Sequence, residues 1–464
     1  MKIDQSVTSV HAPCASYHLN LKIRCERTGG PKGLVNRSDN LAGVDEADAL
    51  TEAEAEAHVQ GICFKTGPPG RVGVELEWLV RDRRDPAAPV SPQRVAKALA
   101  GLGAADGDGY PGEAQKTVLN NALITVEPGG QVELSSAPAE NLGELIDVTL
   151  QDLATLRDAV AGVGLELCGY GLDPLRLPER VLNLPRYAAM EGFFDRDGPW
   201  GRQMMCGTAS VQVCVDAGDE SEGRSGYRSR WELLHTLGPV LVAAFANSPL
   251  RDGRPTGWRS ARQQVWSNLD PGRTKAPEAN GDPRSAWAAY AMDASVMCVR
   301  DPGSTDWLAP PGLTFRGWLR DPVHLRQPTT DDLDYHLSTL FPPVRPRGHL
   351  ELRMIDAQPG DGWIVPAAVV AALADDADAA DAAMCATEPV WAARDGDPWL
   401  RAARHGPADP ELSRASKGCF EAAEAALSRA GTPELIMAAV ADFTERYVQQ
   451  DRCPADDQLE ESHP

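Results

Sequence analysis

Hydrophobic and polar residues alternate with period two in several stretches of the chain, and this alternation predicts half-buried strands. Over residues 71–80, Val72, Val74, Leu76 and Trp78 interleave with Gly73, Glu75 and Glu77. Over residues 124–138 two such runs flank Pro128, Gly129 and Gly130. Glycine accepts positive φ at little steric cost, so this segment predicts a hairpin with a tight turn. Gln131, Glu133 and Ser135 then share one face, Val132 and Leu134 the other, and Glu127 stands at the turn. The cleanest alternation spans residues 205–216, where Thr208, Ser210, Gln212, Cys214 and Asp216 oppose Ala209, Val211, Val213 and Val215. A last strand motif is expected from His336 through Arg345 to Asp356, with Glu351 and Arg353 facing away from Leu350, Leu352 and Met354.

Helical spacing marks other stretches. Residues 45–59 alternate Ala and Glu and predict an exposed helix, and residues 91–102 a short one. Leu142, Leu145, Ile146, Leu150, Leu153, Leu156 and Val160 form a core stripe that Gly162 and Gly164 end. A strand closed by residues 171–174 follows, and residues 186–190 fall in a loop or short helix. Residues 231–245 predict a buried helix, halted by Asn247, Ser248 and Pro249. If residues 260–274 are helical, Arg262, Trp266 and Asp270 share one face at spacings of four. Residues 363–449 are Ala-rich and helical, and no internal repeat is visible.

Charge and composition narrow the function. A net charge of -22 argues against a nucleic-acid surface and against anionic membranes. An anionic substrate would need local arginines or bound cations. The 10 cysteines contain no CxxC pair and the start of the sequence has no charged-then-apolar secretory pattern, so reduced thiols and a cytoplasmic location are expected. The longest apolar run, residues 239–246, is too short to span a bilayer.

The polar faces of the strands together offer Glu75, Glu77, Glu127, Gln131, Glu133, Gln212, Glu351 and Arg353. Carboxylates at this density suit hard divalent cations, which prefer oxygen ligands. Blander readings stand beside this one. Glu133 could lie in water on a one-sided sheet, Glu351 and Arg353 could form an ion pair within one strand, and residues 262–270 could carry a surface salt-bridge ladder. Thr208 and Ser210 are by themselves ordinary strand residues. No Walker-type loop is present, so a nucleotide would be held by metals and arginines.

Taken together and in order, Gly73-Val-Glu-Leu-Glu77, Glu127-Pro-Gly-Gly-Gln-Val-Glu-Leu-Ser135, Thr208-Ala-Ser-Val-Gln-Val213 to Asp216, residues 262–274 and residues 336–353 resemble the glutamate–cysteine ligases shared by plants and many bacteria. The match runs over residues 70–450 and is most like the member of ergothioneine biosynthesis. The resemblance implies an α+β fold related to glutamine synthetase, with a curved, mostly antiparallel sheet forming a funnel and helices packed outside. Residues 1–45 carry little periodicity and have no counterpart in the family, so a poorly ordered extension is expected there, followed by a single catalytic ligase domain over 46–450 and a flexible tail over 451–464. The resemblance also implies ATP, glutamate and cysteine as substrates and Mg²⁺ or Mn²⁺ as cofactor.

On that basis Glu75, Glu77, Glu127, Glu133 and Glu351 are expected to bind metal. Arg353 and Arg262 would neutralise a transferred phosphoryl group or a substrate carboxylate, with Asp270 orienting an arginine or receiving the amine. Gln131, Thr208, Gln212, Arg186, Trp266 and Arg273 would contact substrate or ATP. Leu76 replaces a polar residue of the plant enzymes, but it lies on the apolar side of its strand. Rival readings are a ligase with another amine acceptor, a catalytically silent binding homologue, and a glycoside hydrolase. The last would need no ATP, and the arginine motifs argue against it.

Overall fold

The computed structural model describes residues 50–102, 117–119, 122–277, 281–301, 303–322, 325–393 and 396–462. The extension expected over residues 1–45 lies outside the described residues. The strands are β1 (Val72–Asp82), β2 (Thr117–Leu119), β3 (Ala122–Val126), β4 (Val132–Ser135), β5 (Leu165–Cys168), β6 (Ser210–Asp216), β7 (Leu250–Arg251), β8 (Arg254–Pro255), β9 (Val344–Pro346) and β10 (His349–Asp356). One 8-stranded sheet runs β2-β3-β4-β1-β6-β10-β9, with β5 also paired to β1. Every pairing in it is antiparallel. β7 and β8 form a separate ribbon.

Period-two patterning explains which side of this sheet is buried against helices. Val72, Val74, Leu76, Trp78 and Val80 of β1 join Val132, Leu134, Val211, Val213, Val215, Leu350 and Leu352 in one core. The helices Leu142–Ala161, Tyr227–Ala244 and Ile364–Asp375 close that core. The third is buried along almost its whole length, so its apolar surface is continuous rather than a stripe. Leu76 sits inside this core. The fold is therefore α+β, with helices outside an antiparallel sheet.

The opposite face is covered too, by a smaller cluster that includes Met190, Phe193, Met204, Val265, Trp307 and Tyr335. This second layer removes the one-sided, water-facing sheet from consideration. Glu133 is 8% exposed, Glu75 6% and Gln212 1%.

Several local expectations are corrected. The first helix spans Glu52–Cys63 and buries Ala55, Val59 and Cys63, so it is amphipathic rather than exposed. Met205 and Cys206 belong to the helix Trp200–Gly207, and the alternation becomes a strand only from Ser210. His336 ends a helix, Thr330–Leu337, with its Nε2 2.8 Å from the Ala291 carbonyl oxygen. Residues 260–274 break into the helices Ala261–Ser267 and Pro271–Thr274, because Asp270 caps the second. Arg262, Trp266 and Asp270 therefore do not share a helical face. Residues 454–461 form a helix with Cys453 and Ala455 fully buried, so the expected flexible tail is instead docked.

Candidate active site

The hairpin of β3 and β4 turns through Gly130 at φ 86°. A side chain at Gly129 would strike the Cys206 backbone, so the turn is seated directly on the end of the helix Trp200–Gly207. Gln131 locks that seat: its amide nitrogen donates to the carbonyl oxygens of Met205 (3.1 Å) and Thr208 (2.9 Å), and its amide oxygen accepts from Gly129 N (3.0 Å). Thr208 donates its hydroxyl to Met204 O at 2.6 Å, closing the helix end. These two predicted substrate contacts are thus occupied in positioning Glu127 and Glu133.

Register then brings the acids together. Glu77 lies directly opposite Glu133, and Glu75 stands between Ser135 and Gln212. Like charges facing each other across neighbouring strands repel. The Glu77 carboxylate accepts from Ser210 Oγ (3.0 Å) and Gln212 Nε2 (3.1 Å), and Glu133 accepts from Thr125 and Ser135 hydroxyls, both at 3.1 Å. Burial, then the charge of Glu351, pushes Glu75 up to about 7. Burial, then Glu77, pushes Glu127 up to about 7. Glu133 rises well above the usual carboxylate range through burial and the charges of Glu75, Glu127 and Glu77.

Glu351 behaves differently. It is fully buried, and Arg345 grips both its oxygens, at 2.8 and 2.9 Å, from the adjacent strand. Arg353 bonds the same carboxylate and the side-chain oxygen of Gln212. Although burial opposes it, this pair of guanidinium groups holds Glu351 far below the ordinary range. The carboxylate is thus shared by two arginines and holds Arg353 in place, while its Oε2 accepts, among the described residues, from Arg345 alone. Arg345 was missed by sequence reading, since only the β9–β10 pairing reveals that it faces Glu351.

Unsatisfied donors mark the region between acids and arginines. Arg262 is 2% exposed, donates Nη2 to Arg353 O at 2.8 Å, and leaves Nε and Nη1 without a hydrogen bond. Arg353 Nε and Trp266 Nε1 are likewise buried and unbonded. The ring of Trp266 lies under Arg262 at 5.7 Å and against Phe341 at 5.9 Å, and Phe341 in turn lies under Arg353 at 5.8 Å. Buried donors without acceptors are costly, so a set of them on adjoining side chains points to an anionic ligand.

Three predicted residues are engaged elsewhere. Arg273 is fully buried, donates to Thr339 O (2.6 Å) and Ser295 O, and stacks on Phe193. Asp270 caps its helix through Gly272 N (2.9 Å) and pairs with Arg273 at 3.3 Å. Both are corrected to structural roles, because the protein already satisfies their charge. Arg186 donates to Ser338 Oγ and O at 3.1 and 3.0 Å and sits over Tyr335. Its neighbour Tyr187, not predicted, faces the acids: burial and then the charge of Glu127 push its phenol well up.

Among the described residues no three His, Cys, Asp or Glu side chains are gathered closely enough to form a ready metal cage. The donor chemistry still fits a divalent cation. The acids of β1 and β4 and the turn are all-oxygen donors; burial and neighbouring charge raise Glu75, Glu127 and Glu133, and a hard cation removes both penalties at once.

Comparisons with known proteins show the family. The model of glutamate–cysteine ligase family 2 (GCS2) matches residues 71–461. The chain is 40% identical over 428 residues to glutamate–cysteine ligase EgtA of Mycobacterium tuberculosis, covering 90% of this chain and 92% of that protein. It is 39% identical to its counterpart in Mycolicibacterium smegmatis, covering 91% and 94%. The chloroplastic glutamate–cysteine ligase of Nicotiana tabacum is 28% identical over 73% of this chain and 66% of its own length. In fold, a glutamate–cysteine ligase of Francisella tularensis crystallised with AMP superposes with a TM-score of 0.51 at 11% identity, covering 85% of each chain. Matched along most of its length, this chain belongs to the glutamate–cysteine ligase family 2.

Proposed function

We propose that this chain joins the γ-carboxylate of glutamate to the amine of cysteine with ATP, releasing γ-glutamylcysteine, ADP and phosphate. The product would enter ergothioneine biosynthesis, and the reaction would run in the cytoplasm. Among the described residues no helix is long and apolar enough to cross a membrane. The observation that carries the reading is the set of unbonded donors on Arg262, Arg353 and Trp266 beside a buried group of mutually repelling acids.

A free carboxylate is a poor electrophile, so it must be activated before an amine can attack. Transfer of the ATP γ-phosphoryl group to the glutamate γ-carboxylate gives an acyl phosphate, and attack by the cysteine amine expels phosphate. Mg²⁺ or Mn²⁺, held by Glu75, Glu77, Glu127 and Glu133, would supply positive charge to the ATP phosphates. Arg353, aimed by Glu351 and Gln212, offers Nε to anionic oxygen, and Arg262 offers Nε and Nη1. Planar guanidinium suits both a carboxylate and a phosphoryl group.

ATP hydrolysis should require glutamate and cysteine together, and Glu133→Gln should remove it while the protein remains folded. Glutamate carrying heavy oxygen in its γ-carboxylate should deliver label to inorganic phosphate, with ADP as the nucleotide product. Unlabelled phosphate, or AMP with pyrophosphate, would move the protein to an adenylating class. Turnover with another amine but not cysteine would keep the chemistry and change the acceptor.

A further inference from the structure

Beneath Arg262 lies a buried polar layer that reaches from the sheet to the helix Pro454–Glu461. Asp356, at the end of β10 and 2% exposed, stands 3.8 Å from Arg262 Nη1. Its carboxylate accepts from Asn247 N (2.9 Å) and Ser248 Oγ (2.6 Å) on one oxygen and from Ser260 Oγ (2.9 Å) on the other. Ser248 Oγ also accepts from Arg262 N at 3.1 Å, so backbone and side chain of this arginine are referred to the same carboxylate. Gly171 admits the arrangement, since any Cβ there would strike Asp356.

Asn247 is in turn fixed from outside. Its side-chain nitrogen donates to Gly169 O and Ala357 O, both at 2.7 Å. Gln458 donates its amide nitrogen to Asn247 O (3.0 Å) and Oδ1 (2.5 Å). The helix carrying Gln458 is docked by Ala455 N on Ala246 O at 2.9 Å and by the Arg259–Asp456 ion pair at 2.8 Å. All of Gln458, Asn247 and Asp356 are buried, where hydrogen bonds are strong and misplacement is costly.

We propose that Gln458 is a positioning residue for the reaction: through Asn247 and Asp356 it sets the orientation of Arg262, making the helix Pro454–Glu461 part of the active site's support. A guanidinium that must meet developing charge within a few tenths of an ångström loses effect when its anchor shifts. The inference rests on the reading that Arg262 meets substrate anion.

The test is a double-mutant cycle on the full chain. Gln458→Met keeps the volume of the side chain and removes its hydrogen bonds, and Arg262→Lys removes the guanidinium. kcat/KM for glutamate and Tm are measured for the wild type, both single variants and the pair. In the wild-type background Gln458→Met should lower kcat/KM about tenfold, and in the Arg262→Lys background less than about twofold, with the same small change in Tm in both. Equal losses in both backgrounds, or no loss in either, would overturn the relay. Wild-type kcat/KM in Arg262→Lys alone would instead overturn the role of Arg262. If Gln458→Met fails to fold, Gln458→Asn, which keeps the amide and shortens its reach, is taken through the same cycle with the same criteria.

Discussion

Glu351 shows how the place of a residue can be legible in the sequence while one of its partners is not. Alternation in β10 put its carboxylate on the polar face beside Arg353, and the structure keeps it there. Its partner Arg345 lies six residues away across a turn, and no spacing rule connects a residue to the one opposite it on the next strand. Gln131 and Thr208 were legible as polar-face residues for the same reason, but their commitment to backbone carbonyls of the helix Trp200–Gly207 was not. Glu351→Gln would leave Arg345 and Arg353 with a neutral partner in a largely buried network. Removing one charge from a buried network costs roughly 3–5 kcal/mol, so chemical denaturation should show a loss of that order, together with a fall in kcat. Unchanged stability with intact kcat would mean that water replaces the lost charge.

Elements were easier to read than their joints. Strands with strict alternation, β1, β4, β6 and β10, were visible because half their residues had to enter a core. Residues 205–207 continued the alternation by accident of composition, and tertiary packing wound them into the end of a helix. That helix end matters, because the hairpin turn rests on it. Gly129→Ala would place a methyl group against the Cys206 backbone, which cannot move aside as a flexible side chain could. The turn must lift, carrying Glu127 and Gln131 with it. We expect a stability loss of about 2–4 kcal/mol and a raised requirement for divalent cation, measured by denaturation and by metal titration of activity. Wild-type metal dependence would show that the turn is not what locates Glu127.

At the scale of the molecule, the layers followed from pattern, but the second layer over the polar face did not. It is built from short helices whose apolar residues come from segments with weak periodicity, such as Pro185–Phe194 and Ala261–Ser267. Beside it Glu75 and Glu133 are buried and Glu77 and Glu127 half-buried, with consequences for stability. Glu75 and Glu127, raised to about 7, and Glu133, raised further, hold protons in the folded chain that the unfolded chain, near 4.5, has already released. Because the folded state binds more protons, stability without a divalent cation is greatest below the unfolded values and falls as pH rises through the folded ones. The Tm of the metal-free protein should therefore drop between about pH 5 and about pH 8, and Mg²⁺ should restore most of it at the upper end. Parallel pH profiles with and without Mg²⁺ would exclude cation binding by these acids.

The raised carboxyls of Glu75, Glu127 and Glu133 also leave a thermal signature. A cation entering among them must expel hydrogen ions, which the surrounding buffer then absorbs. Calorimetric titration near neutrality would thus record the heat of the buffer as well as the heat of coordination. In phosphate, whose ionisation heat is small, and in Tris, whose ionisation heat is large, the same loading should give different apparent enthalpies. The slope between them counts the hydrogen ions released when the cation loads.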